Sequence, residues 1–204
     1  TYRSNPTFKL EPDQAAIENF LGRFNFKPTE AQIRSINQIL KDMSSSQPMT
    51  RLLEGDVVSG KTAVAATVSY STIVTRPTDA GGKKQDFGTL QVAYMAPTEI
   101  LAKQHFESFI KYFKHLKINI GLITGSGCYK FPSKINAEKF TPISRTQLLK
   151  WVGNREIPIL IGTHALIQKS VIFKHLALVI IDEQHRFGVE QRFKIARKSV
   201  STVP

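Results

Sequence analysis

The sequence predicts an α/β protein with a mainly parallel central sheet and helices on both of its faces. Three observations lead to this fold class. Short runs rich in β-branched residues alternate with helical patterns, a glycine-rich turn joins one such run to a helix, and another apolar run ends in two carboxylates. Alternation of this kind is typical of βαβ units, whose strands lie parallel.

Five strands are predicted from apolar runs that are bounded by turn residues. In chain order they cover residues 51–54, 90–95, 118–123, 157–161 and 177–181. Two stretches rich in Gly, Pro, Lys and polar residues interrupt the alternation, at residues 76–88 and 125–142, and both are predicted to be loops.

Two helices are predicted from the spacing of apolar residues. The first covers residues 29–43, begins after Pro28 with Thr29 as its cap, and buries Ile33, Ile36 and Leu40. The second lies between the second and third strands. Its apolar residues recur at intervals of four and three, which indicates a side that faces the core: Ala102, Phe106, Phe109, Phe113 and Leu116.

Composition narrows the class of partner. The chain carries 28 Lys and Arg against 16 Asp and Glu, a net charge of +12, which favours a polyanion such as DNA. The single cysteine excludes a disulfide within the chain. No apolar run is long enough to cross a membrane, and no secretory apolar core opens the sequence, so no membrane partner and a cytoplasmic location are expected.

The stretch GDVVSGKT, residues 55–62, has the pattern of a phosphate-binding loop between a strand and a helix. Gly55 and Gly60 let backbone N–H groups turn inward toward phosphate oxygens, and Ser59 lies in the same loop. Lys61 is predicted to reach the β and γ phosphates of ATP, and the Thr62 hydroxyl is predicted to ligate Mg²⁺.

Two carboxylates follow the predicted strand LALVII. Ligands of open α/β sheets gather at the carboxyl ends of the strands, so Asp182 is placed to bind the same Mg²⁺. Glu183 is placed to orient or deprotonate the attacking water. The two halves of one hydrolytic site therefore occur in one sequence.

The stretch DEQHRFGVEQR, residues 182–192, resembles the second motif of the RecG family of ATP-dependent DNA helicases, which remodel branched DNA and stalled replication forks. Four other stretches resemble motifs of that family: FKPTEAQ at 26–32, MAPTEILAKQH at 95–105, GLITGS at 121–126 and IGTHALIQ at 161–168. The resemblance covers about residues 20–195. It implies the first of two RecA-like lobes of a superfamily two motor.

The resemblance also implies roles for individual residues. Gln32 would contact adenine, Lys61 and Thr62 would hold phosphate and magnesium, Asp182 and Glu183 would serve hydrolysis, and His185 would link hydrolysis to DNA movement. A second set would lie on the side facing DNA and grip phosphates without reading sequence: Pro97, Thr98, Glu99, Thr124, Gly125, Thr163 and His164.

For domain organisation, residues 1–24 are expected to be an N-terminal extension and residues 25–204 the ATP-binding lobe. In the family, a second RecA-like lobe and a wedge domain complete the enzyme. We therefore expect this chain to bind nucleotide weakly and not to unwind forked DNA without them.

Val58 departs from the family, which usually has glycine at this position of the loop. A left-handed backbone costs an L-residue roughly 1 to 2 kcal/mol, and a β-branched one more. If the loop keeps its usual shape, ATP binding is expected to be weakened about tenfold or more.

Three alternatives stay open from the sequence. The chain could belong to another duplex translocase of the same superfamily, such as a transcription-repair coupling factor. It could be a P-loop phosphotransferase that acts on a small molecule, although the stretches APTE and GTHALI are not expected there. It could also be a DNA-binding module with a decayed ATP site, but Gly60, Lys61, Thr62, Asp182 and Glu183 are all intact.

Overall fold

The computed structural model describes residues 8–45, 47–55, 60–77, 89–183 and 186–200. Its helices are α1 (Gln14–Gly22), α2 (Glu30–Met43), α3 (Lys61–Val74), α4 (Glu99–Phe113), α5 (Arg145–Gly153) and α6 (Val189–Val200), and a 3-10 helix covers His164–Ile167. Its strands are β1 (Gln91–Met95), β2 (Ile120–Ile123), β3 (Cys128–Phe131), β4 (Thr141–Pro142), β5 (Ile159–Gly162) and β6 (Leu176–Ile181).

The strands form one sheet in the order β4-β3-β2-β5-β1-β6. The pairs β2–β5, β5–β1 and β1–β6 are parallel, whereas β3 and β4 are joined in antiparallel fashion beside β2. Parallel strands need crossover connections, which helices usually provide, whereas the antiparallel strands β2 and β3 are joined by a short turn. The predicted fold class, α/β with a mainly parallel sheet, is therefore confirmed.

Helices cover both faces of the sheet because successive strand residues point to opposite faces. In β1, Val92 and Tyr94 pack in a core with residues of α1 to α4. Ala93 and Met95 pack in a second core with residues of α5, the 3-10 helix and α6. All four side chains are buried, which explains why the strand has an almost continuous apolar sequence.

The two predicted helices are present. Thr29 caps α2 as expected, in a capping box with Gln32. The stripe of α4 is fully buried at Ala102, Phe106, Phe109 and Phe113. One expectation for α2 was wrong: Ile33 is 40% exposed, because the buried stripe of this helix starts a turn later and consists of Ile36, Ile39, Leu40 and Met43.

The prediction of a strand at residues 51–54 is wrong, since these residues make no sheet pairing. Residues 47–50 line one wall of a cleft of about 970 Å³ whose other wall includes Ile181 of β6 and Phe193 of α6. The cleft lies between residues 47–50 and β6. Arg51 instead bonds Asp42 of α2, with Nε 2.7 Å from Oδ2.

The prediction of a loop over residues 125–142 is wrong in part, because it contains β3 and β4. The short segment Cys128–Phe131 pairs with β2 along its whole length, from Ile123↔Cys128 to Ile120↔Phe131. The Gly, Pro and Lys residues of the surrounding stretch gave residues 125–142 the composition of a loop and concealed this short strand. Of the predicted loop at 76–88, only residues 76–77 are among the described residues.

The segment before the predicted lobe joins its core. Ile17 and Phe20 of α1 are buried, and the Phe20 ring stacks on Tyr70 of α3 with centroids 4.4 Å apart. The boundary at residue 24 stays a prediction. Among the described residues, no helix is both long and apolar enough to span a membrane.

Candidate functional site

The carboxyl edge of the sheet brings most of the predicted site residues together. Ile123, Gly162, Met95 and Ile181 are in register across β2, β5, β1 and β6, so these four strands end side by side. The chain leaves them at the predicted functional positions, which are Thr124 and Gly125 after β2, Thr163 and His164 after β5, Pro97 to Glu99 after β1, and Asp182 and Glu183 after β6.

The start of α3 lies near this edge and requires glycine. Gly60 has φ +71°, a left-handed conformation, and a Cβ atom there would collide with the side-chain amide of Gln32. Helices α1, α2, α4 and α5 are each capped by a side-chain oxygen, whereas Gly60 has none to offer α3. The N-terminus of α3 is therefore suited to an anion supplied from outside the helix.

Lys61 and Gln32 both lie at this loop. The ammonium group of Lys61 donates to the carbonyl oxygen of Gly55 at 2.7 Å. The Gln32 Oε1 atom accepts the Thr29 backbone N–H at 2.9 Å, which fixes the Gln32 amide beside Gly60. Gln32 thus lies beside Gly60 in space and Lys61 follows Gly60 in sequence, and their contacts with adenine and phosphate stay predictions.

Asp182 is held by a residue that the sequence analysis gave no role, His105 of α4. The distance between His105 Nε2 and Asp182 Oδ2 is 2.7 Å, and both side chains are largely buried. The hydrogen bond from His105 is the main cause that lowers the pKa of Asp182, with a further contribution from the charge of Lys61. Asp182 is therefore a carboxylate at neutral pH.

Tyr94 of β1 lies against His105. Its hydroxyl lies 3.3 Å from His105 Nδ1. Burial, followed by the nearby charge of Asp182, raises the pKa of Tyr94, so the phenol keeps its proton. Asp182, one of the two predicted metal ligands, is thereby contacted by one buried side chain, His105, which in turn contacts a second, Tyr94.

Glu183 has an unusual backbone conformation. Its φ of 51° is left-handed, which is uncommon for a residue with a side chain. The carbonyl oxygen of Glu183 accepts the backbone N–H of Arg186 at 2.8 Å, so the chain turns sharply after β6. Strained backbone of this kind is often found at functional sites.

The beginning of α4 is organised by two hydrogen-bonding side chains. Thr98 caps the helix by accepting the Leu101 N–H at 3.2 Å. The Glu99 carboxylate accepts Ser126 N–H at 3.0 Å and Ser126 Oγ–H at 2.6 Å, and it also accepts the Gly125 N–H. The bond from Ser126 is the main cause that lowers the pKa of Glu99.

The predicted DNA-facing residues differ in exposure. Thr98, Glu99, Gly125 and His164 are exposed, and Pro97 is half-buried. The side chains of Thr124 and Thr163 are buried, at 4% and 2% exposure. The Thr124 hydroxyl bonds within its own turn, to the Gly127 carbonyl oxygen at 3.1 Å, so these two threonines can offer a ligand little beyond their backbone.

Sequence reasoning missed Tyr94 and His105 as site residues. A signal was present at His105, which lies three residues after Ala102 and four before Phe109 and so falls on the buried stripe of α4. A polar residue on such a stripe needs a partner in the core. Val58, Ser59 and His185, which carry three of the predictions, lie outside the described residues.

Comparison with known proteins identifies similar chains. The model of the DEAD/DEAH box helicase family matches residues 29–204. The ATP-dependent DNA helicase RecG of Aquifex aeolicus is 41% identical over 96% of this chain and 22% of its own length. The RecG of Bacillus subtilis is 44% identical over 89% of this chain and 23% of its own length. The chain thus spans less than a quarter of these relatives.

Solved structures agree with these relatives. RecG bound to a three-way DNA junction matches with a TM-score of 0.69 and 36% identity, over 90% of this chain and 22% of that one. The UvsW helicase of bacteriophage T4 matches with a TM-score of 0.56 over 97% of this chain and 60% of that one, but at 15% identity it supports the fold alone. The predicted resemblance to the RecG family is confirmed.

Proposed function

Because the chain belongs to the DEAD/DEAH box helicase family, we propose that it is the ATP-binding motor lobe of a DNA helicase similar to RecG. The lobe couples ATP hydrolysis to the remodelling of branched DNA and stalled replication forks, in recombination and repair. Its DNA contacts are with the phosphate backbone and do not depend on sequence.

The observation that carries this proposal is the composition of the carboxyl edge of the sheet. Asp182 and Glu183 follow β6, beside the strand that leads to Thr98, and the Asp182 carboxylate is close enough to Lys61 for the lysine charge to lower its pKa. Phosphate loop, carboxylate pair and the start of α4 thus share one edge of one sheet. A parallel sheet binds its ligands at this edge.

The donor groups of this edge suit a magnesium nucleotide. Mg²⁺ prefers hard oxygen ligands, and Thr62 and Asp182 supply a hydroxyl and an ionised carboxylate. Lys61 would exchange the Gly55 carbonyl oxygen, its acceptor at 2.7 Å, for phosphate oxygens. Bound Mg²⁺ would neutralise charge on the phosphates during transfer to water.

The remaining residues receive roles by position. Gln32 would read adenine from beside Gly60, Glu183 would orient or deprotonate the attacking water, and Ser59 would belong to the loop around the phosphates. His185 would couple ATP hydrolysis to the movement of DNA. The roles of Ser59 and His185 rest on the family resemblance alone.

DNA would lie against the edge beyond the nucleotide. Thr98 and His164 are exposed there, and the Thr98 hydroxyl can donate to a phosphate while its oxygen still caps α4. The Pro97 turn and the backbone of residues 124–125 and 163 would complete the surface. Glu99 belongs to this surface as well, although its carboxylate already accepts hydrogen bonds from Gly125 and Ser126.

The rest of the enzyme would come from outside this chain. We propose a second RecA-like lobe and a wedge domain as partners, since the match covers less than a quarter of the RecG relatives of Aquifex aeolicus and Bacillus subtilis, and a cytoplasmic location. The match to a helicase family model favours this proposal over a P-loop phosphotransferase. The 36% identity to the RecG structure favours it over a coupling factor.

A calorimetric titration of the chain with Mg-ATP tests the nucleotide site. Lys61→Ala is expected to abolish binding, and Lys111→Ala, which removes an exposed lysine at the far end of α4, is expected to leave it unchanged. Val58→Gly is expected to tighten binding about tenfold. Equal affinities for the parent and Lys61→Ala would contradict the proposed nucleotide site.

A further inference from the structure

Asp182, one of the two proposed metal ligands, is contacted by two buried side chains in series. Asp182 follows β6, and Tyr94 and His105 belong to β1 and α4. His105 bonds Asp182 at 2.7 Å, and the Tyr94 hydroxyl lies 3.3 Å from His105 Nδ1. Neither Tyr94 nor His105 belongs to the phosphate loop or to the carboxylate pair.

The hydrogen bonds of this group have a consistent direction. When His105 Nε2–H donates to Asp182 Oδ2, Nδ1 is left to accept the Tyr94 hydroxyl, which lies 3.3 Å away. In this arrangement Asp182 keeps its second carboxylate oxygen for a cation.

Packing fixes the pair in place. The Tyr94 ring stacks on His105 with centroids 4.6 Å apart and meets Phe109 edge-on at 5.5 Å. Tyr94 is 4% exposed, and the His105 side chain is 13% exposed. Leaving a buried polar group without its hydrogen-bond partner costs free energy, so the side chains of Tyr94 and His105 are held in this orientation.

We propose that Tyr94 and His105 are positioning residues that hold the Asp182 carboxylate in the orientation that the magnesium ion of Mg-ATP requires. This inference rests on the proposed function. It adds two residues that neither touch the phosphates nor ligate the metal, and it assigns the nucleotide site a contact with α4, the helix whose first turn carries Thr98 and Glu99.

Loss of either side chain should change the Mg²⁺ dependence of ATP binding and leave ATP affinity without Mg²⁺ unchanged. Partners that orient metal ligands typically change metal affinity by about 10- to 100-fold when they are removed. His105→Ala is therefore expected to raise about tenfold the Mg²⁺ concentration that gives half of the Mg²⁺-dependent gain in ATP affinity. ATP affinity in EDTA should not change, because the loop and Lys61 are untouched.

Two conservative variants separate positioning from general damage. The glutamine introduced by His105→Gln has an amide N–H near the place of Nε2–H, so this variant should recover most of the Mg²⁺ response. Tyr94→Phe keeps the ring and its packing but loses the hydroxyl that contacts His105 Nδ1, so it should shift the Mg²⁺ requirement while the chain stays folded. His115→Ala, which changes an exposed histidine just after α4, is the matched control and should behave as the parent.

The experiment is a Mg²⁺ titration of ATP binding to this chain by calorimetry, with urea unfolding of each variant to establish that it is folded. Parental Mg²⁺ dependence in folded His105→Gln and Tyr94→Phe, together with the same dependence in His105→Ala, would overturn the inference and leave the proposed function standing. If Mg²⁺ does not change the ATP affinity of the parent chain, the proposed function itself fails, and this inference falls with it.

Discussion

At the scale of single residues, Glu99 is a carboxylate on an edge that is proposed to face DNA. Backbone N–H groups of Gly125 and Ser126 and the Ser126 hydroxyl all donate to it. An ionised acceptor makes stronger hydrogen bonds than a neutral one. Glu99 therefore ties the start of α4 to the turn after β2, and its charge contributes to the fold whether or not it also meets DNA.

The lowered pKa of Glu99 predicts how stability depends on pH. Because the pKa is lower in the folded than in the unfolded chain, ionised Glu99 stabilises the fold above the ordinary glutamate pKa of about 4.3. That contribution is lost as the pH falls through the lower, folded pKa. Glu99→Gln should thus lose less stability than the parent as the pH falls from about 5 to about 3.

Urea unfolding at a series of pH values measures this difference. Glu107→Gln, which neutralises an exposed glutamate on the same helix, should follow the parent profile. Parallel profiles for the parent and Glu99→Gln would show that the hydrogen bonds from Ser126 do not favour the ionised form.

At the scale of elements, the turn after α5 contains a residue in an unfavourable conformation. Arg155 has φ 71°, and its Nη1 atom is buried without a hydrogen-bond partner among the described residues. The left-handed conformation is what lets the chain turn from α5 toward the start of β5, with the Arg155 N–H bonded to the Val152 carbonyl oxygen at 3.2 Å. Glycine would adopt it without strain.

Replacing Arg155 should therefore separate backbone strain from the side chain. Arg155→Gly is expected to be more stable than Arg155→Ala by about 1 kcal/mol, since both variants lack the guanidinium and only alanine keeps the left-handed strain. For a chain of this size that difference is a melting temperature about 2 to 4 °C higher, measured by thermal unfolding. A glycine variant no more stable than the alanine variant would mean that position 155 relaxes when arginine is removed.

Elements that are specified locally could be predicted from the sequence. The cap and stripe of α2 and α4 lie within one helix each, and four strands were found because they are apolar on both faces. The failure at residues 51–54 concerns pairing with other strands of the sheet, which local pattern does not encode. The failure in β3 concerns a segment of four residues, too short to stand out from the Gly, Pro and Lys residues around it. The candidate site divides in the same way, because Lys61, Thr62, Asp182 and Glu183 follow from motifs. The roles of Tyr94 and His105 follow only from the packing of β1, α4 and β6.

At the scale of the whole molecule, the sheet arranges its candidate contacts along one line. Strands lie about 4.8 Å apart, so the turn after β2 and the carboxylates after β6 are separated by three strand spacings, roughly 14 Å. Nucleotide at one end of this edge and DNA toward the other could therefore be bound at once. Lysines occur at both ends of the strands. Lys103 and Lys169 lie near the carboxyl ends, and Lys117 and Lys174 precede β2 and β6 at the amino ends.

This arrangement predicts which lysines control DNA binding. Affinity for duplex DNA should fall linearly with salt on logarithmic axes, and each lysine that contacts a phosphate should contribute about 0.9 to the slope. Lys103→Ala and Lys169→Ala are expected to reduce the slope, whereas Lys117→Ala and Lys174→Ala, which also change exposed lysines, should leave it unchanged. Fluorescence anisotropy with a labelled duplex at several salt concentrations measures the slope. Equal slopes for the two pairs of variants would mean that the net charge of +12 attracts DNA without an oriented surface. A slope reduced only by Lys117→Ala and Lys174→Ala would mean that DNA binds at the amino ends of the strands.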